Sequence, residues 1–133
     1  MTFRILIADD EPAIRRFAAR TLASAGYHVL EAADGAAALA MVRSGSETID
    51  AVVSDIVMPK LTGVELLQLL SESHPRLPFI LMSGYAAGQL GEMGIAVPCG
   101  VLAKPFTAER LVGEVKRCLR GADPIAFGGA ASA

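Results

Sequence analysis

The sequence has no long hydrophobic run, no basic cluster and only two cysteines, and each of these absences narrows the classes of protein to consider. No apolar stretch approaches the roughly 18 residues that a membrane helix requires, so no contact with a membrane is expected. The 12 Lys and Arg are scattered along the chain, so no direct nucleic-acid binding is predicted. Acidic residues at positions 9–11 come too early to leave room for a signal-peptide core. We therefore expect a cytoplasmic protein.

The two cysteines give no functional signal. Cys99 and Cys118 are far apart in the chain and match no metal-binding spacing. Cys118 falls on an apolar helical face, which favours core packing. Cys99 follows Pro98 in a predicted loop, and no role is assigned to it.

What the chain does have is a high apolar content, with 53% hydrophobic residues and a mean hydropathy of +0.46. A parallel sheet covered by helices on both faces accounts for this, because its strands are apolar on both sides. Apolar β-type runs alternate with helical patterns, which predicts five βα units in one α/β domain. The predicted strands are 3–8, 28–32, 50–54, 79–82 and 100–103. We expect a domain over 1–121 and a flexible tail or linker stub over 122–133.

Helical patterns fill the intervals between the strands. The first has Pro12 in its opening turn and an apolar stripe that includes Phe17. The third begins with a capping-box pattern, Thr62 to Glu65. The fourth, over about 86–93, is weakened by interior glycines that each cost about 1 kcal/mol relative to alanine. The last runs from about Thr107 to Arg120.

Five chemically active side chains follow the predicted strands. They are Asp9, Asp10, Asp55, Ser83 and Lys104. If the strands are parallel, all five reach the same edge of the sheet, where parallel sheets bind their ligands.

The three carboxylates at this edge predict a metal site. Crowded carboxylates repel one another, and a divalent cation relieves that repulsion. Mg²⁺, or Mn²⁺ in its place, suits oxygen ligands of this kind. We predict Asp10 and Asp55 as direct ligands, Asp9 acting through water, and the backbone carbonyl of Val57 completing the set.

The same residues can carry out phosphoryl transfer. A carboxylate can act as a nucleophile and form an aspartyl-phosphate, provided that nearby cations neutralise the transferred group. Asp55, on a central strand, is the predicted nucleophile. Lys104 would supply a fixed positive charge and Ser83 a hydrogen bond, and Lys104-Pro105 is a candidate cis peptide bond.

These motifs resemble the signature of the response-regulator receiver domain. The matching segments are Ile7-Ala8-Asp9-Asp10-Glu11, Ser54-Asp55-Ile56-Val57-Met58-Pro59 with Gly63, Met82-Ser83-Gly84 and Lys104-Pro105-Phe106. The resemblance covers about residues 3–120. It implies a doubly wound, flavodoxin-like (βα)5 fold with strand order 2-1-3-4-5. It also implies that Asp55 accepts a phosphoryl group from a histidine kinase, with Mg²⁺ held at Asp9, Asp10 and Asp55.

One position departs from the family pattern. Many receivers have Tyr or Phe three residues before the lysine as a rotamer switch, whereas this chain has Val101. Valine cannot swing a ring between buried and exposed positions, so the signal is expected as ordering of residues 86–100 instead. The stretch around Ser83 also resembles receivers fused to hybrid kinases, and Tyr85 is a candidate barrier to attacking water.

Three functions fit these residues to different degrees. The leading one is a phosphoacceptor switch that turns over no outside substrate. A haloacid-dehalogenase-type phosphatase would need an Asp-x-Asp motif, which the adjacent Asp9 and Asp10 do not form. A phosphorylation-independent docking module would not need the complete acid set.

The expected partners are a histidine kinase or phosphotransfer protein and an unidentified downstream protein. Neither His28 nor His74 lies in a pattern suited to a phosphodonor helix. Residues 122–133 show no helix-turn-helix pattern, so we expect either a stand-alone regulator or a receiver from a longer protein.

Overall fold

The computed structural model describes residues 2–84 and 99–121. The predicted 86–93 helix, Tyr85 and the 122–133 tail lie outside these ranges. Among the described residues, no helix is long and apolar enough to span a bilayer.

A five-stranded parallel sheet forms the centre of the molecule, with strand order β2-β1-β3-β4-β5. Its strands are β1 (Arg4–Ala8), β2 (His28–Ala32), β3 (Ala51–Asp55), β4 (Phe79–Ser83) and β5 (Gly100–Ala103). This confirms the predicted doubly wound α/β fold. The predicted strand limits were short by one residue at the ends of β3 and β4, so Asp55 and Ser83 are themselves strand residues.

Four described helices cover the two faces of the sheet. They are α1 (Pro12–Ser24), α2 (Gly35–Ser44), α3 (Gly63–Ser73) and α4 (Ala108–Gly121). Helices α2 and α3 pack on one face, and α1 and α4 pack on the other. Alternate residues of the central strands point into the two clusters, which explains why these strands are apolar on both sides.

The helix ends follow the signals in the sequence. Thr62 and Glu65 form the predicted capping box at the start of α3, with side-chain to backbone hydrogen bonds in both directions. Asp34 caps α2 by accepting a hydrogen bond from the amide of Ala37 at 2.8 Å. Gly45 ends α2 with φ 66°, a conformation that glycine adopts without steric cost.

Two side chains have surroundings that the sequence pattern did not predict. Phe17 belongs to the apolar stripe of α1, and it is 45% exposed, with its ring centroid 6.0 Å from that of Phe106. Cys99, which was given no role, is disulfide-bonded to Cys118, with the two Cα atoms 5.8 Å apart. The expectation that Cys118 is packed in the core is confirmed. Sequence spacing could not reveal the pairing, because it is the packing of α4 on β5 that joins the cysteines.

Candidate phosphoacceptor site

The predicted site residues meet at the carboxyl edge of the sheet. Asp9 and Asp10 follow β1, Asp55 ends β3, Ser83 ends β4 and Lys104 follows β5. β1 and β3 are adjacent, and the parallel register pairs Ala8 with Ser54, so the three acids emerge side by side. This is the point where the strand order reverses, at which open α/β sheets bind their ligands.

The three carboxylates are close enough to share one ion. One oxygen from each of Asp9, Asp10 and Asp55 lies within 4.8 Å of the others. Oxygens on opposite sides of an octahedral Mg²⁺ are separated by about 4.2 Å, so this spacing suits a single small dication. The donor set therefore fits a hard divalent metal, and these acids could hold one.

Asp9 is held rigidly beneath the surface. Its residue is 0% exposed, and its Oδ1 accepts a hydrogen bond from the amide of Glu11 at 2.9 Å. Burial raises the pKa of this carboxyl above its ordinary value of 3.8, the Glu11 amide opposes the rise, and the charge of Asp55 adds to it. The Asp9 carboxylate is thus poorly solvated and gains from a nearby cation.

Lys104 supplies a cation within the protein. Its Nζ lies 3.1 Å from Oδ1 of Asp55 and 3.5 Å from Oδ2 of Asp9. Burial alone would lower the pKa of Lys104, but the hydrogen bond and charge of Asp55, followed by those of Asp9, outweigh burial and hold it above 10.5. The ammonium group is therefore charged at neutral pH and lies between two of the acids. The Lys104-Pro105 peptide bond is cis, as the sequence suggested.

Ser83 and Val57 occupy different surroundings. Ser83 is buried at the end of β4, paired in register with Ala103, and its carbonyl accepts a hydrogen bond from the Lys104 amide at 2.8 Å. Val57 lies two residues beyond β3, and its side chain points outward, with the residue 68% exposed. The roles of the Ser83 hydroxyl and the Val57 carbonyl stay predictions.

Two supporting residues were missed by the sequence analysis. Arg15 donates a hydrogen bond to the carbonyl of Asp9 at 2.8 Å and pairs with Glu31 at 3.1 Å. Nothing in the sequence distinguishes it from its neighbour Arg16. Gly63 was noted only as a motif position. A Cβ there would overlap the carbonyl of Asp55, so only glycine lets α3 begin this close to β3.

Residues 5–116 match the family model of the response regulator receiver domain. The chain belongs to this family. It is accordingly a phosphoacceptor domain of two-component signalling, and receiver domains interact with histidine kinases or phosphotransfer proteins.

Individual receiver relatives agree with this assignment. The sensor kinase CckA of Brucella abortus (strain 2308) is 39% identical over 120 residues, covering 90% of this chain but 13% of CckA. The response regulator receiver protein CpdR of the same strain is 37% identical over 117 residues, covering 87% of this chain and 96% of CpdR. The solved response regulator receiver protein of Sinorhizobium medicae WSM419 superimposes with a TM-score of 0.82 at 33% identity, covering 92% of this chain and 98% of that one.

Proposed function

We propose that Asp55 of this receiver accepts a phosphoryl group from the phosphohistidine of a histidine kinase or phosphotransfer protein. The observation that carries the proposal is the position of the Asp55 carboxylate, 3.1 Å from the Lys104 ammonium group and within 4.8 Å of oxygens from Asp9 and Asp10. Asp55 is also less buried than Asp9, with its side chain 13% exposed, so a donor can reach it.

Each neighbour has a distinct part in the transfer. Asp9, Asp10 and Asp55, with the carbonyl of Val57, would hold Mg²⁺ or Mn²⁺, which would neutralise charge on the phosphoryl oxygens. Lys104 leaves its ion pair with Asp55 to contact the incoming group. Ser83 would donate its hydroxyl hydrogen to a phosphoryl oxygen. The domain modifies itself and turns over no outside substrate.

The proposed setting is the cytoplasm, where the kinase donor would meet the domain. The phosphorylated form would change its affinity for a downstream protein. The scattered positive charge supports signalling through a protein partner rather than direct contact with nucleic acid.

Acetyl phosphate with Mg²⁺ tests the assignment. We expect an acid-stable, base-labile adduct of one phosphoryl group per chain, which requires Mg²⁺ and is absent from Asp55→Asn. Asp50→Asn is the matched control, because Asp50 lies at the opposite edge of the sheet and should not affect the adduct. An adduct that persists in Asp55→Asn would refute the role of Asp55. Phosphate release over many turnovers would instead indicate an enzyme.

Metal binding has a separate readout. Mg²⁺ should raise the unfolding midpoint of the native chain, since a ligand that binds only the folded state stabilises it. Asp10→Asn should reduce this shift with little effect on the metal-free protein, because Asp10 is exposed. An equal Mg²⁺ shift in both proteins would exclude Asp10 as a ligand.

A further inference from the structure

The cysteine pair joins the start of β5 to α4. Cys99 directly precedes β5, and its amide donates a hydrogen bond to the carbonyl of Phe79 at 2.8 Å. Cys118 lies on the buried face of α4, against the sheet. The disulfide thus links two residues that are 19 positions apart in sequence, at the end of β5 remote from Lys104.

The two cysteine residues differ in their exposure. Cys99 is partly exposed, whereas Cys118 is 0% exposed. A thiol reagent from solution can therefore reach Cys99 first, and Cys118 only after the packing of α4 is disturbed. This asymmetry is what a stepwise exchange requires, with one entry thiol and one internal thiol.

A fixed positive charge lies beside the internal sulfur. Nη2 of Arg117 lies 3.6 Å from Sγ of Cys118 and donates a hydrogen bond to the carbonyl of Cys99 at 2.8 Å. Glu114 holds the guanidinium group in place with contacts of 3.0 and 3.2 Å. A neighbouring guanidinium favours the thiolate, which is the form that attacks a disulfide.

We propose that Cys99 and Cys118 are a reversible redox pair, in which Cys99 reacts first with a small-molecule disulfide and Cys118 resolves the mixed disulfide. The inference is independent of the proposed phosphoacceptor role. Disulfides in cytoplasmic proteins are usually transient, which favours a reversible bond at the proposed location.

Glutathione disulfide is a suitable oxidant, and the exchange balances without any other reagent. The Cys99 thiolate attacks one sulfur of glutathione disulfide, forms a mixed disulfide and releases one glutathione thiolate. The Cys118 thiolate then attacks the Cys99 sulfur, forms the internal disulfide and releases the second glutathione thiolate. Two protein thiols are oxidised, one glutathione disulfide is reduced, and two protons pass to solvent or to the released thiolates.

Closing this bond restrains one part of the domain. The closed loop contains β5, Lys104 and most of α4. Oxidation should stabilise the folded state, because the disulfide lowers the conformational entropy of the unfolded chain. For a loop of this length we expect the unfolding midpoint to rise by on the order of 10 °C. The sulfurs and Lys104 flank a four-residue strand, roughly 16 Å apart along the chain. Acceptance of phosphate at Asp55 should therefore change less than twofold.

The test uses the full chain in buffers of defined glutathione and glutathione disulfide ratio. Exchange is stopped by N-ethylmaleimide added together with denaturant, so that the buried Cys118 thiol is also alkylated, and the intact mass is measured. We expect a protein without alkylation in oxidising buffer and with two alkyl groups in reducing buffer, and the two forms should interconvert without denaturant. The proposal would be overturned if both thiols stayed free at every ratio of glutathione to glutathione disulfide. It would also be overturned if glutathione reduced the disulfide only in the presence of denaturant.

Two variants test the order of the steps. Cys118→Ala should accumulate one glutathione on Cys99, whereas Cys99→Ser should accumulate none. Arg117→Gln should slow closure of the mixed disulfide severalfold, with Arg110→Gln at the exposed start of α4 as its control. Glutathione on Cys118 in Cys99→Ser would reverse the assigned order, and equal closure rates in both arginine variants would exclude the Arg117 effect. The phosphoryl adduct at Asp55 is measured on both the oxidised and the reduced chain. A failure of the phosphoacceptor proposal is thereby distinguished from a failure of the redox proposal.

Discussion

Both edges of the sheet carry charged side chains, but these are exposed at one edge and partly buried and crowded at the other. At the amino edge, Arg4 and His28 lie near Glu47, and Asp50 accepts a hydrogen bond from the Arg4 amide at 2.7 Å. The contacts of Glu47 with Arg4 at 3.6 Å and with His28 at 3.7 Å are exposed, so they contribute little.

At the carboxyl edge, three carboxylates lie together, and the described residues place one ammonium group, that of Lys104, against two of them. The Asp9 residue is also fully buried. We expect the excess negative charge to lower the stability of the metal-free fold and to attract a dication. A functional site is thus marked by unbalanced, buried charge rather than by the number of charged residues.

The largest expected effect is steric, at the carboxyl edge. Gly63→Ala should lower the free energy of unfolding by about 3 kcal/mol, because the added Cβ overlaps the Asp55 carbonyl. Gly113→Ala in α4 is the control, since a Cβ there meets nothing within 4 Å, and it should raise stability by about 1 kcal/mol. Urea unfolding measures both. Equal tolerance at the two glycines would refute the close approach of α3 to β3.

Removing the shared cation should have the next largest effect. Lys104→Met should destabilise the metal-free protein by about 2 kcal/mol, because it leaves buried acids unpaired. Lys60→Met removes an exposed lysine 3.6 Å from Asp34 and should cost less than about 0.5 kcal/mol. If the two variants were equally stable in urea at neutral pH, charge balance at the carboxyl edge would not matter.

The contribution of Lys104 should depend on pH. Its pKa in the folded protein is raised above 10.5, so its stabilising effect is complete below that pH. The effect is lost as pH rises through the higher pKa of the folded state. The stability difference between the native chain and Lys104→Met should therefore shrink in alkaline solution. A difference that stays constant up to the alkaline limit of folding would contradict this expectation.

Neutralising the buried acid at the carboxyl edge, Asp9, should stabilise the metal-free protein. Asp9→Asn keeps an oxygen for the Glu11 amide and removes a buried charge, so thermal unfolding without metal should show a gain of about 1 kcal/mol. The stabilisation by Mg²⁺ should fall at the same time. Asp50→Asn should show neither change, and a loss of stability in Asp9→Asn would indicate that Lys104 already compensates the charge.

The smallest effect is expected at the amino edge. Glu47→Gln removes the acid that faces Arg4 and His28, and should change stability by less than about 0.5 kcal/mol because all three side chains are exposed. Unfolding in low and high salt would check this. If Glu47→Gln lost as much stability as Lys104→Met, the two edges of the sheet would not differ in how strongly their charged groups affect stability.

Much of the fold and of the site could be read from the pattern of residues. Apolar runs placed all five strands, and the capping-box pattern from Thr62 to Glu65 placed the start of α3. The acids and Lys104 were found because each lies at or just after the end of a strand, and parallel strands bring their ends together. Arg15 and the Cys99–Cys118 pair were missed, since tertiary packing brings their partners to them and neither has a recognisable spacing.

The sequence by itself determined the α/β class, the elements and the residues that reach one edge of the sheet, because periodicity and strand ends are local properties. The tertiary structure decided which groups meet and how strongly they interact. Burial of Asp9, the position of Lys104 between two acids and the bond between the cysteines all depend on how strands and helices pack. Distance and dielectric environment, which set electrostatic energies, exist only once the chain is folded.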